Sequence, residues 1–309
     1  EDMERRAQET RVEALKGSIS PLALENLFKE SNLLPNKSFT ELLKALILVC
    51  DPSNNSDNHA KLQDQGVFCI DMLSIVALAN PHRIALVWDM LHSYFDRILR
   101  GSGLAQQMPL LVSRIAVCIL KICYGFLSLP KHGTMLMSAL GLLTRMDLGS
   151  IVLEDGVSLA YVVGKNTALI LKRNGVHFQS AEMWELFVAH LKFLTSMADC
   201  RPAVLNCLEQ MITKNLVAVS NVDLIVPILI SYLQRTPQMH SSQGLGAGPD
   251  DIVASTNESI RSIGLLMQLS RTSSFLGRPN PAVAGEHIEL WAKVLPVIGQ
   301  YFYDASRNV

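Results

Sequence analysis

Helix punctuation recurs along this sequence at a spacing that few folds accommodate. Ser20-Pro21 supplies a cap followed by proline at the first helical position. Ser38-Phe39-Thr40-Glu41 has the form of a capping box, in which hydroxyl and carboxylate each satisfy a free backbone N–H, and it opens a helix over Leu42 to Cys50. Asn80-Pro81 heads a segment in which Ile84, Val87, Trp88, Leu91, Phe95 and Ile98 recur at helical spacing, with Asp89, His92, Asp96 and Arg100 on the opposite face. Pro109 to Leu127 then pairs with Pro130 to Met146, Val152 to Arg173 with Ala181 to Met197, and Arg201 to Asn215 with Asn221 to Leu233. Successive pairs start roughly 43 to 50 residues apart, a period typical of stacked helix pairs.

Asp51 to Gln63 reads as a polar loop, and Val67 to Ala79 is interrupted only by Asp71 and Ser74. A helix apolar nearly all round must be covered on more than one side, which predicts a central position. No period-two run of β-branched residues is bounded by a hairpin dipeptide, so strand signals are weak. These patterns predict an all-α, armadillo/HEAT-like helical-repeat solenoid of about five to six helix pairs. Residues 1–235 form the solenoid on this reading, 236–251 a flexible linker, and 252–309 a further pair that continues it, with helices over Ile252 to Ser270 and near His287 to Phe302. The linker assignment rests on the Gly, Ser and Gln content of Pro237 to Asp250.

Charge narrows the function classes. With 27 Lys and Arg against 28 Asp and Glu, no net field draws the chain to phosphate backbones, and nucleic acid is not an expected partner. The longest uncharged stretches, such as Gly101 to Ser113, fall short of the roughly 20 residues that span a bilayer, so no transmembrane segment is expected. The charged start, Glu1 to Arg6, lacks the apolar core of a signal peptide. Cys118 and Cys123 point to different helical faces, Cys200 and Cys207 are two turns apart, and Cys50 and Cys69 flank a loop. All six read as reduced thiols of a cytoplasmic protein.

No constellation of reactive residues survives its simpler explanation. Gly244, Gly246 and Gly248 superficially resemble a phosphate loop, but they lack its lysine and its strand-to-helix setting. Asp89, His92 and Asp96 share a helical face without further converging ligands, and Arg100 makes a solvated ion-paired face the expected reading. Glu286 and Glu289 fit the acidic first turn of a helix. His177 and His190 flank the cap at Ser180 and Trp184 with no nucleophile signature in reach. Trp88, Trp184 and Trp291 lie within apolar stripes and read as core anchors. No catalytic residue, metal ligand or cofactor is expected.

Four segments resemble a known family: Ser38 to Val49, Phe68 to Trp88, Arg114 to Leu120, and Leu169 to Phe187 with Asn174 and Trp184. The most specific is Phe68 to Trp88, with Cys69, Met72, Leu73, Asn80, Arg83 and Val87. The chain is similar to the region downstream of the catalytic Sec-seven domain in the large Arf guanine nucleotide exchange factors, in their Golgi brefeldin A-resistant, Gea and GNOM branch. The resemblance covers roughly Pro21 to Leu194, corresponding to the second downstream homology box, and Trp291 to Val309 resembles the start of the third. It implies a non-catalytic regulatory module recruited peripherally to Golgi membranes. The partners it implies are small GTPases of the Arf or Rab class, other domains of the same exchange factor, and Golgi lipids. A general adaptor gripping a protein in its concave groove is the alternative. Asn80 and Arg83 are the named candidates for a partner-binding surface, against simpler roles as a helix cap and as the partner of an acid on the neighbouring repeat.

Overall fold

A computed structural model describes residues 21–49, 59–100, 108–129, 132–153, 155–217, 219–234, 249–271, 291–292 and 294–303. The chain is all-α. Its elements are α1 (Pro21–Lys29), α2 (Asn36–Val49), α3 (His59–Ala79), α4 (Ile84–Arg100), α5 (Pro109–Phe126), α6 (Gly133–Leu143), α7 (Leu159–Asn174), α8 (Ala181–Leu194), α9 (Arg201–Thr213), α10 (Val219–Gln234) and α11 (Pro249–Arg271). Residues 291–292 and 294–303 are also helical.

Helix α2 starts earlier than its capping signal suggests. Phe39 N donates to Pro35 O at 2.9 Å, so Ser38 already lies in the first turn. Glu41 pairs instead with Lys44 at 3.0 Å, and the Thr40 hydroxyl donates to Asn36 O. Proline at position 35, just outside the helix, outweighs the capping box as the start signal. Helix α3 likewise begins at His59 rather than Val67, absorbing part of the polar segment assigned to a loop. Its central position is as its apolar surface requires: it packs on α1, α2 and, most extensively, α5.

At Asn80-Pro81 the chain turns sharply. Residues 63–79 and 81–100 meet at 95°, across a short 3-10 turn over Pro81–Arg83. Proline can neither donate to the α3 ladder nor follow it without steric conflict, which ends that helix here. Ile84, Val87, Trp88, Leu91, Phe95 and Ile98 are all buried, as their spacing predicts. By length and composition α5 is apolar enough to cross a membrane despite Arg114 and Lys121, but most of it is buried within the protein, against α3.

Two compact units result. One runs to Phe126 and includes Arg145–Asp147; the other comprises Leu127–Thr144 and everything from Leu148 onward. The division falls at the end of α5; of residues 236–251, read from composition as a linker, 236–248 lie outside the described residues. Helix α11 packs on α9 and α10. In the second unit alternate helices pack together, α6 with α8 and α8 with α10 in one row, α7 with α9 and α9 with α11 in the other, and the consecutive helices α10 and α11 pack as extensively. Stacking of equivalent helices from successive pairs is the packing expected of a helical repeat.

The segment before α7 departs from the expected helix. Val152 forms an isolated antiparallel bridge with Ser158, Leu153 N donates to Val157 O at 2.9 Å, and Gly156 turns the chain at φ +78°. Asp155 Oδ1 accepts from Val157 N at 3.2 Å. The Asp155-Gly156 dipeptide is a hairpin signal that prevails over the helical pattern around it. Ser158 then caps α7, accepting from Tyr161 N and bonding Asp199.

Helices α7 and α9, neighbours in one row, approach closely at Gly164, where a Cβ would stand 3.3 Å from Cys200 Cα and from Ala203 Cβ. Gly164→Ala is expected to be near neutral, since gained helix propensity offsets the tight contact. Gly164→Leu forces the two helices apart and is expected to cost about 2 to 3 kcal/mol in urea unfolding.

Candidate functional site

Described residues bring one cleft together, in the second unit. It has a volume of about 320 Å³ and lies where the 3-10 turn after α7 (Gly175–His177), the first turns of α8, Leu216 and the first turns of α10 meet. Local sequence explains each wall. Helix α7 ends at Asn174-Gly175, and Phe178 folds back to pack on Trp184 at 5.0 Å and Phe187 at 5.3 Å between ring centroids. Ser180 caps α8 as its sequence predicts, accepting from Met183 N at 3.2 Å. Phe178, Trp184, Leu216 and Leu224 supply apolar wall, while Gln179, Ser180, Glu185 and Asn221 supply polar groups.

Asn221 is the unusual member. It is 3% exposed, and neither its Nδ2 nor its Oδ1 has a hydrogen-bond partner. Sequence spacing starts this helix at Asn221. The helix begins at Val219, which leaves the Asn221 amide inside the first turn and beside the cleft. No sequence pattern shows that loss of a partner.

The two candidates named from sequence lie elsewhere, in the first unit. Asn80 is fully buried rather than at a surface, and its side chain does not cap the turn that follows. Its Nδ2 donates to Ser31 Oγ and to Val76 O, both at 2.8 Å. Arg83 pairs with no acid in these contacts: it donates to Leu34 O at 2.8 Å and Asn32 O at 2.7 Å, with its guanidinium 4.6 Å from the centre of the Phe39 ring. Both residues grip the 3-10 turn Glu30–Leu33 and its neighbour Leu34 from one side.

Asp96 is held by Arg100 at 2.7 Å and by Arg145, confirming the ion-paired face. Burial, then Arg145, lowers the pKa of His92, while Asp89 raises it. His190 is 1% exposed and shares a 3.1 Å hydrogen bond with Thr167; burial holds its pKa at about 4. Trp88 and Trp184 are buried, Trp184 with one edge on the cleft. Gly244, Gly246, Gly248, Glu286 and Glu289 lie outside the described residues.

Cys69, Cys118, Cys123, Cys200 and Cys207 are buried thiols outside any disulfide. Burial pushes Cys118, Cys200 and Cys207 up to about 12 and raises Cys123 as well. None of these five thiols is expected to react with iodoacetamide at pH 7.5 until urea unfolds the protein, because the thiolate is the reactive form. Mass spectrometry of labelled peptides across a urea series checks this.

The fold is an all-α helical repeat whose second unit carries a cleft walled by aromatic, aliphatic and polar side chains. The chain is similar to a region of two Arf exchange factors of Arabidopsis thaliana. It is 24% identical to the ARF guanine-nucleotide exchange factor GNOM over 178 residues, 56% of this chain and 12% of that protein. It is 25% identical to the ARF guanine-nucleotide exchange factor GNL1 over 179 residues, 57% of this chain and 11% of that protein. The match therefore spans about a tenth of each relative's length. No family model and no solved structure matches the chain.

Proposed function

We propose that this chain is a non-catalytic regulatory and interaction module of a large Arf exchange factor acting in Golgi membrane traffic. It tunes membrane recruitment, GTPase contacts or the accessibility of the exchange domain. The observation that supports this most directly is the similarity to GNOM and GNL1 over more than half the chain. Stacked helix rows also suit the role, since they present long surfaces without requiring chemistry of their own.

Two measurements test it. The chain alone, added to Arf loaded with a fluorescent GDP, is expected to leave the rate of nucleotide release unchanged; acceleration would overturn the non-catalytic assignment. Deleting these residues from the full-length factor is expected to change membrane recruitment or exchange rate in cells. Unchanged behaviour in both would defeat the regulatory assignment.

A further inference from the structure

We propose that the α7–α8–α10 cleft binds an extended protein segment that inserts one apolar side chain and carries a basic residue beside it. The proposal deepens the reading of the chain as an interaction module and rests on it.

Asn221 carries the argument. Both polar atoms of the Asn221 amide are closed off from solvent as well as unmatched, which costs about 1 to 3 kcal/mol per group, so turning the side chain toward a partner that supplies one donor and one acceptor recovers that on binding. A residue in extended conformation presents its N–H and C=O along the same edge, which lets one side-chain amide bond both. A helical segment satisfies those groups internally and offers the amide nothing. Backbone pairing gives attachment without selecting a sequence, so selection falls to the walls.

Those walls ask for an apolar side chain. Phe178, Trp184, Leu216 and Leu224 line the cleft, and about 320 Å³ is at the small end of the range for binding pockets. The charged lining residue is Glu185, which is exposed, and no Lys or Arg lines the cleft. A nucleotide would find an aromatic wall and an amide suited to adenine, but a carboxylate where its phosphates need cations. Glu185 instead favours a lysine or arginine next to the anchor.

The test uses the whole 309-residue chain and an array of octapeptides with a central leucine, methionine or phenylalanine. Neighbouring positions are basic in one set and acidic in the other. Binding is expected to favour the basic set, to fall at least tenfold with Asn221→Leu, and to lose its charge preference with Glu185→Lys. Glu182→Lys, on the same helix but outside the cleft lining, is expected to change neither. N-methylating the anchor residue removes the donor that Asn221 accepts from, and should weaken binding to the unaltered protein about tenfold, whether or not the Asn221 variant folds. Absence of any peptide with this dependence would overturn the proposal. So would adenosine binding that Asn221→Leu abolishes, in place of peptide binding. Either result leaves the Arf-factor assignment to the exchange and deletion assays, which do not depend on the cleft.

Discussion

Acidification from pH 7 to pH 4 is expected to cost the second unit on the order of 3 kcal/mol through His190 alone. The side chain lies in the α6–α8–α10 row, bonded to Thr167 of α7, and burial depresses its folded pKa to about 4. In the unfolded chain an imidazole titrates near pH 6.5. Between those values the unfolded state binds a proton that the folded state refuses, so stability falls as pH drops through that window and levels off below it. Carboxylates add their own pH dependence, which makes the informative quantity a difference between proteins. His190→Gln removes the titration and keeps a polar group beside Thr167, at an expected cost of about 1 to 2 kcal/mol at pH 7. Its urea stability should approach and then exceed that of the unaltered protein as pH falls from 6.5 to 4. Curves that stay parallel across this range would show that His190 charges equally easily in both states.

Periodicity carried the fold because burial sorts residues by face. Ile84 to Ile98 shows this, every stripe position lying in the core. The nearly all-apolar Val67 to Ala79 likewise had to be central. Boundaries were less legible where two local signals competed. Pro35 outweighed Ser38 at the start of α2, and Asp155-Gly156 turned a segment whose apolar residues continue a helical pattern. The cleft was hardly legible at all. Ser180 was visible as a cap and Trp184 as an anchor, but their convergence with Asn221 depends on how row neighbours stack. A solvated capping asparagine and a buried unpaired one look alike in sequence. Asn80 taught the converse: a polar residue beside proline reads as an exposed cap, yet its amide is spent on a turn 49 positions earlier.

That use of Asn80 predicts a large mutational effect in the first unit. Asn80→Leu keeps the branched shape in a bulkier side chain but leaves Ser31 Oγ without its donor and Val76 O, at the end of α3, without the Asn80 amide. A loss of about 2 kcal/mol is expected: stranding two buried polar groups costs more than is recovered by removing Asn80 Oδ1, which has no hydrogen-bond partner. Arg83→Ala releases Asn32 O and Leu34 O and uncovers the Phe39 ring, at an expected cost of about 2 kcal/mol. Arg83→Lys recovers only part of this, because one ammonium on a flexible stem does not reproduce the planar fork across two carbonyls. The two residues hold the same turn, so the double variant should lose less than the sum of the singles, by at least about 0.5 kcal/mol. A partner-binding role would give a different pattern: nearly unchanged unfolding in either single variant, with the loss appearing only in binding or recruitment. Urea unfolding of the four proteins in the cycle therefore separates a pair that staples α3 to the turn before α2 from a pair that faces a partner.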